Sequence, residues 1–155
     1  MRHFRYGLGA TLLALANMLV SAPAAAALGQ DETSVEADRV QMHAAAAQRG
    51  ARNAYSVHEL ALPSGTVVRE FVAKSGTVFA VAWRGPAIPD LRQLLGAHFA
   101  TYAGSPQRAR GGRGHLRVQD GALVVESSGR SRAGFRGRAY LHDALPAGVQ
   151  MDEIQ

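Results

Sequence analysis

Three apolar runs with a two-residue period, joined by short glycine turns, occupy Tyr55 to Arg84 and restrict the chain to folds built on an antiparallel sheet. YSVHELAL, TVVREFVA and TVFAVAWRG are separated only by PSG and KSG, and runs of that length joined that tightly pair as a meander. In the second run Val67, Arg69, Phe71 and Ala73 fall on one face and Val68, Glu70 and Val72 on the other. The third, Thr77 to Arg84, is apolar on both faces apart from its ends. That is the pattern of a central strand covered on both sides.

Gly85 and Pro86 end this run, and Leu91, Leu94, Leu95, Phe99 and Tyr102 then recur at helical spacing. They predict an amphipathic helix over about Pro89 to Tyr102, with Asp90 as an anion at its N-terminus and its apolar stripe across the meander. Upstream, acidic residues precede basic ones in DETSVEADRVQMHAAAAQR, and Thr33 to Glu36 matches a capping box. A helix over about Ser34 to Gln48 is expected there. Downstream, GSPQRARGGRG, residues 104–114, has no apolar period and reads as a flexible Gly/Arg-rich connection. HLRVQ and ALVVESS flank Asp120-Gly121 as a hairpin, and another strand follows over about Gly134 to Leu141. HDALPAGVQMDEIQ reads as a loop or short cap. The expected class is α+β: an antiparallel meander with an N-terminal helix and a central amphipathic helix packed on one face.

The start of the chain has a different logic. Arg2 and Arg5 precede an apolar stretch through Val20, and SAPAAAA supplies small residues for a signal peptidase. Residues 1–27 are therefore expected to be a signal peptide cut after Ala27, leaving 28–155 as one domain with no transmembrane helix in it. An uncleaved anchor is the other reading, because Tyr6 to Gln30 carries no charge. The general secretory route to the periplasm or the cell exterior is expected, since the two arginines are not adjacent. There is no cysteine, which removes disulfides, thiolate metal sites, cysteine nucleophiles and a lipid-modified cysteine together. Without Arg2 and Arg5, 15 of the 17 basic residues face 12 acidic ones, a net charge of +3. Arginines crowd the last third.

YSVHELALPSGTVVREFV, GTVFAVAWRGPAIPDLRQLLG, ALVVESSGR, GRAYLHDALPAGV and the leader ending AAAALG together resemble the DUF2844 family, exported proteobacterial proteins of unknown function. The resemblance covers nearly all of the chain behind the leader and implies export and a single domain. It implies no catalytic residue.

No constellation in the sequence demands a catalyst. His58 and Glu59 are strand neighbours on opposite faces, so they form no dyad, and His58 is placed to meet Arg69 or Glu70 across the hairpin. His98 falls on the apolar stripe of the central helix, as a boundary histidine. The histidines are scattered singly, with no HExxH or HxH spacing, and no cofactor is called for. Ser64, Ser75, Ser127 and Ser128 sit in turn-like contexts, and no G-x-S-x-G elbow exists. Trp83 and Arg84 at the strand end are a packing anchor or part of a groove. Arg108, Arg110 and Arg113 are candidate contacts to an anionic surface. Nucleic acid is disfavoured by the leader and by the absence of interleaved aromatics. The expected function is a noncatalytic accessory or binding protein whose partner is an envelope protein, anionic lipid or polysaccharide. Two rivals stand beside it: a periplasmic hydrolase with His58 or His98 as base, and an assembly component acting through protein contacts.

Overall fold

The computed structural model describes residues 28–45, 48–110, 114–130 and 132–155; the expected leader and its cleavage site, in 1–27, lie outside them. Helix α1 (Ser34–Gln41) leads into strands β1 (Gln48–Ala51), β2 (Tyr55–Ala61), β3 (Val67–Ala73) and β4 (Val78–Gly85). Helices α2 (Leu91–Leu95), α3 (Phe99–Gly104) and α4 (Pro106–Arg110) follow, and then strands β5 (His115–Asp120), β6 (Leu123–Arg130) and β7 (Gly134–Leu141). All seven strands form one antiparallel sheet in the order β1-β2-β3-β4-β7-β6-β5. The fold class is α+β, as the patterning predicts.

β4 is the middle strand, and every residue from Val78 to Trp83 is buried. Its neighbours are β3 from the first meander and β7 from the second, so the two meanders join along it. Val68, Val81, Trp83, Val125 and Ala139 form one buried cluster with Val35 of α1, Leu94 and Leu95 of α2, and Tyr102 of α3. This is the helix-covered face. The register shifts between Phe71 and Val72: Val72 opposes Val78 while Phe71 opposes Ala80. The extra residue, Phe79, joins Tyr55 and Phe71 in the second buried cluster, with ring centroids 5.8 and 6.2 Å away. A β-bulge thus delivers one more aromatic ring to the second face.

That second face is not left to solvent along its whole length. His142 to Gln155, through two 3-10 turns, lays Leu145, Val149, Met151 and Ile154 over one end of it. The Tyr55 hydroxyl donates to Glu153 at 2.8 Å and ties the segment down. The other end of the face remains open.

Four local expectations are corrected. The helix predicted to run to Gln48 ends at Gln41; His43 turns to φ 52° and Ala45 N–H donates to Ala61 C=O, so the chain enters the sheet edge as β1. Alanine-rich sequence favours helix only weakly without a packing face, and the unpaired edge of β2 wins. The capping box is absent: Thr33 makes no side-chain cap, and its N–H goes to Asp31 instead. The central helix begins at Leu91 rather than Pro89 and breaks at Gly96, φ 48°, where α2 passes through a 3-10 turn into α3. Finally, Pro106–Arg110 of the expected flexible connection are helical, and residues 111–113 lie outside the described residues.

Asp90 does cap α2, accepting from the N–H groups of Arg92 and Gln93 at 2.9 and 3.2 Å. Asp90→Ala is expected to lower stability by about 1 kcal/mol, the usual worth of such a cap, while Asp90→Asn restores most of it. Denaturant unfolding of the two variants checks this.

Candidate functional site

The open end of the second face is crossed by two parallel rows of charge, set by strand register. In the inner row Glu59 of β2 opposes Arg69 of β3, and Arg138 of β7 opposes Glu126 of β6, which opposes Arg117 of β5. These residues pair with one another. Arg69 Nε donates to Glu59 at 2.8 Å and Arg138 Nε to Glu126 at 2.8 Å, while Arg117 pairs with the other oxygen of Glu126. Surface pairs of this kind contribute little stability, and each of the three arginines has a carboxylate partner although two glutamates serve all three.

One register step outward the pattern differs. Arg84 of β4 directly opposes Arg136 of β7, which opposes Ser128 of β6, which opposes His115 of β5. No carboxylate lies within ion-pair distance of Arg84 or Arg136 among the described residues. Two like charges directly across a strand pair repel. Arg136 Nε donates to Ser128 Oγ at 3.2 Å, which fixes the start of its guanidinium and leaves its outer nitrogens unassigned.

Two adjoining grooves, of about 720 and about 610 Å³, meet on this row: Arg84, His115, Ser128 and Arg136 line both. Ile154 and Gln155 wall the larger groove on the side of the covering segment, and Glu126 is the one acidic side chain among the described residues along either. With strands roughly 4.8 Å apart, the row from β4 to β5 spans roughly 14 Å.

The residues singled out from sequence are distributed as follows. Trp83 belongs to the helix-side cluster, 3% exposed, with its ring edge over Gly137, and it also borders the larger groove; Arg84, beside it, is exposed on that groove. The Arg108 guanidinium sits 5.3 Å from the Tyr102 ring centroid; the Arg110 side chain and Arg113 lie outside what the structure describes. His58 opposes Glu70 across the hairpin and contacts Glu32 at 2.9 Å, with Arg49 on the same Glu32 oxygen at 3.0 Å. His98 is half-buried and faces Gly29. Neither histidine lines the two grooves on the arginine row. Among the described residues no three metal-ligating side chains converge, and no helix is long and apolar enough to cross a membrane.

A second polar feature lies beneath α1. Glu70, 1% exposed, meets Asp38 of α1, which is fully buried and accepts from Gln93 Nε2 at 2.6 Å. Burial, and then the neighbouring Asp38 charge, push the Glu70 carboxyl up to about 9. Burial raises Asp38 to about 6. Arg84, Arg136 and His115 of the outer row, by contrast, are exposed and Ser128 is half-buried, so chemistry that needs a ligand to enter has the groove and not the acid pair.

Patterning along the chain missed Arg136 because its partner Arg84 is contributed by a strand from the other meander. The one signal pointing to it was the excess of arginine over acid in the last third. A family model described as a protein of unknown function (DUF2844) matches residues 24–154. No curated protein and no solved structure matches the chain.

Proposed function

The chain belongs to the DUF2844 family, whose description assigns no function, and we propose one from the groove: an exported, noncatalytic binding protein of the envelope or periplasm that holds an anionic partner on its open sheet face. The observation that carries this reading is the outer row, in which Arg84 and Arg136 stand side by side with no carboxylate partner among the described residues, while every arginine of the row beside it has one. A fold could remove that repulsion with one glutamate, as it does at Glu126. Leaving it stores electrostatic attraction for a ligand. Export rests on the basic, apolar and small-residue succession of residues 1–27.

Two measurements test it. Mass spectrometry of the protein recovered from expressing cells should show a chain beginning at Leu28, found outside the cytoplasm. That protein should be retained on phosphatidylglycerol-containing vesicles or a polyuronate resin, not on phosphatidylcholine, with retention lost as salt shortens the Debye length to about 8 Å or less. Arg84→Ser combined with Arg136→Ser should reduce retention about tenfold. Equal retention on neutral and anionic supports, or none on either anionic one, overturns the binding reading, and a soluble cytoplasmic protein still carrying Met1 overturns the export.

A further inference from the structure

We infer that Arg84, Arg136, Ser128 and His115 form a subsite for a phosphate monoester, which names the ligand chemistry of the groove and rests on the binding reading above. The four residues come from four adjacent strands at one register position and are common to both grooves. They supply two guanidinium forks, a hydroxyl and an imidazole. A ligand lying along the row meets these donors on neighbouring strands in turn.

Charge selects the ligand. One carboxylate neutralises one arginine and leaves the Arg84–Arg136 repulsion half standing. A phosphodiester likewise carries one charge and two free oxygens. A phosphate monoester carries a charge of roughly −1.5 to −2 near neutral pH and presents three acceptor oxygens, enough to bridge both guanidiniums and still accept from Ser128. Arginine is suited to such bidentate contacts because its donors are planar and preset. Arg136 is oriented by the bond from its Nε to Ser128, and its outer nitrogens have no hydrogen-bond partner among the described residues. Glu126 is engaged by Arg138 and Arg117, so the nearest acid is masked rather than aimed at the subsite.

Calorimetric titration of the protein purified from expressing cells, at constant ionic strength, tests the assignment with inorganic phosphate, glycerol 3-phosphate and acetate as probes. Both phosphates should bind at least tenfold more tightly than acetate. Arg84→Gln and Arg136→Gln should each weaken phosphate tenfold or more, and Ser128→Ala about threefold. Arg39→Gln, on α1 and paired with Glu36, should leave affinity unchanged. Thermal melts accompany each variant; removing one of two repelling charges should leave Tm unchanged or raised. Phosphatidic acid vesicles, compared with phosphatidylglycerol vesicles, separate sources: preference for phosphatidic acid assigns the monoester to a lipid headgroup, whereas soluble phosphate binding without that preference assigns it to a soluble or saccharide-borne group. Phosphate binding no tighter than acetate, or unaltered in the two arginine variants at wild-type Tm, overturns the subsite. If salt-sensitive retention on phosphatidylglycerol persists in that case, the broader binding reading stands without it; if retention is absent too, both fall.

Discussion

Trp83→Ala is expected to destabilise the protein by about 3–5 kcal/mol, the range for truncating a buried aromatic ring, and to be the most damaging single truncation on the helix-covered face. The ring is 3% exposed and sits in the cluster that joins Leu94 and Leu95 of α2 to Val118 and Val125 of the far strands. It spans the seam where the two meanders meet. Across that seam stands Gly137, its direct partner in the β4–β7 register, and a methyl group there would come 2.3 Å from the indole Cζ2. Gly137→Ala therefore forces the ring or the strand to move, at a cost of about 1–3 kcal/mol. The two effects share one space. In the Trp83→Ala background the Gly137→Ala cost should shrink or vanish, a coupling of about 0.5–3 kcal/mol. Trp83→Phe should be milder, because the buried indole N–H has no partner among the described residues and its removal ends a desolvation cost. Urea unfolding of the four proteins of the cycle decides the matter. Additive costs would show that Gly137 is not there to admit the tryptophan.

The same residues show what the sequence made legible. Alternation placed Val68, Glu70 and Val72 on one face and Phe71 on the other, and continuous apolarity marked β4 as central. Both follow from side-chain period and local turns, which are written within a dozen residues. The Asp120-Gly121 hairpin is of the same kind, with Gly121 at φ 54° supplying the turn. What escaped depends on distance along the chain. Gly137 reads as an ordinary strand glycine until β7 is known to lie against β4, more than fifty positions away. Arg84 stands out at the end of its apolar run, but its pairing with Arg136 is created by that same junction. The covering of the second face by Leu145 to Ile154 escaped because the segment has no period; its apolar residues hang from turns, not from a strand or helix. β1 escaped for the opposite reason, since alanines upstream favour helix and only the free edge of β2 overrules them. Glu70 is an acid between Val68 and Val72 on one face, a local contradiction that points to a buried carboxyl, and it is also the cross-strand partner of His58.

That contradiction carries a prediction about pH. Asp38 Oδ2 and both Glu70 oxygens have no hydrogen-bond partner among the described residues, and after burial it is the Asp38 charge that raises Glu70 most. A proton held on Glu70 removes that repulsion and supplies a donor where none stands. The groups around the pair do not relieve it: Gln93 serves one Asp38 oxygen, Asp90 adds repulsion to Asp38, and His58, opposite Glu70, is turned to Glu32. In the unfolded chain the two acids titrate at their ordinary 3.8 and 4.5, whereas in the fold they rise to about 6 and about 9. The folded state therefore holds more protons between these limits, and its stability falls as pH rises. The contribution is complete below about pH 4 and is lost through pH 6 for Asp38 and toward pH 9 for Glu70. Hydrogen bonds to Asp31, Glu36 and Glu153 lower those carboxyls and act in reverse, removing stability as pH falls through their titration. The optimum should lie at mildly acidic pH, about 5, with a loss on the order of 5 kcal/mol by pH 8.5. Glu70→Gln replaces that proton with a permanent amide donor of the same shape. It should match the wild type within about 1 kcal/mol at pH 5 and exceed it by about 3–4 kcal/mol at pH 8.5. Denaturant unfolding at half-unit pH intervals gives both curves. Parallel curves would mean that Glu70 folds already ionised, and the acid pair beneath α1 would then have to be satisfied by something other than a proton.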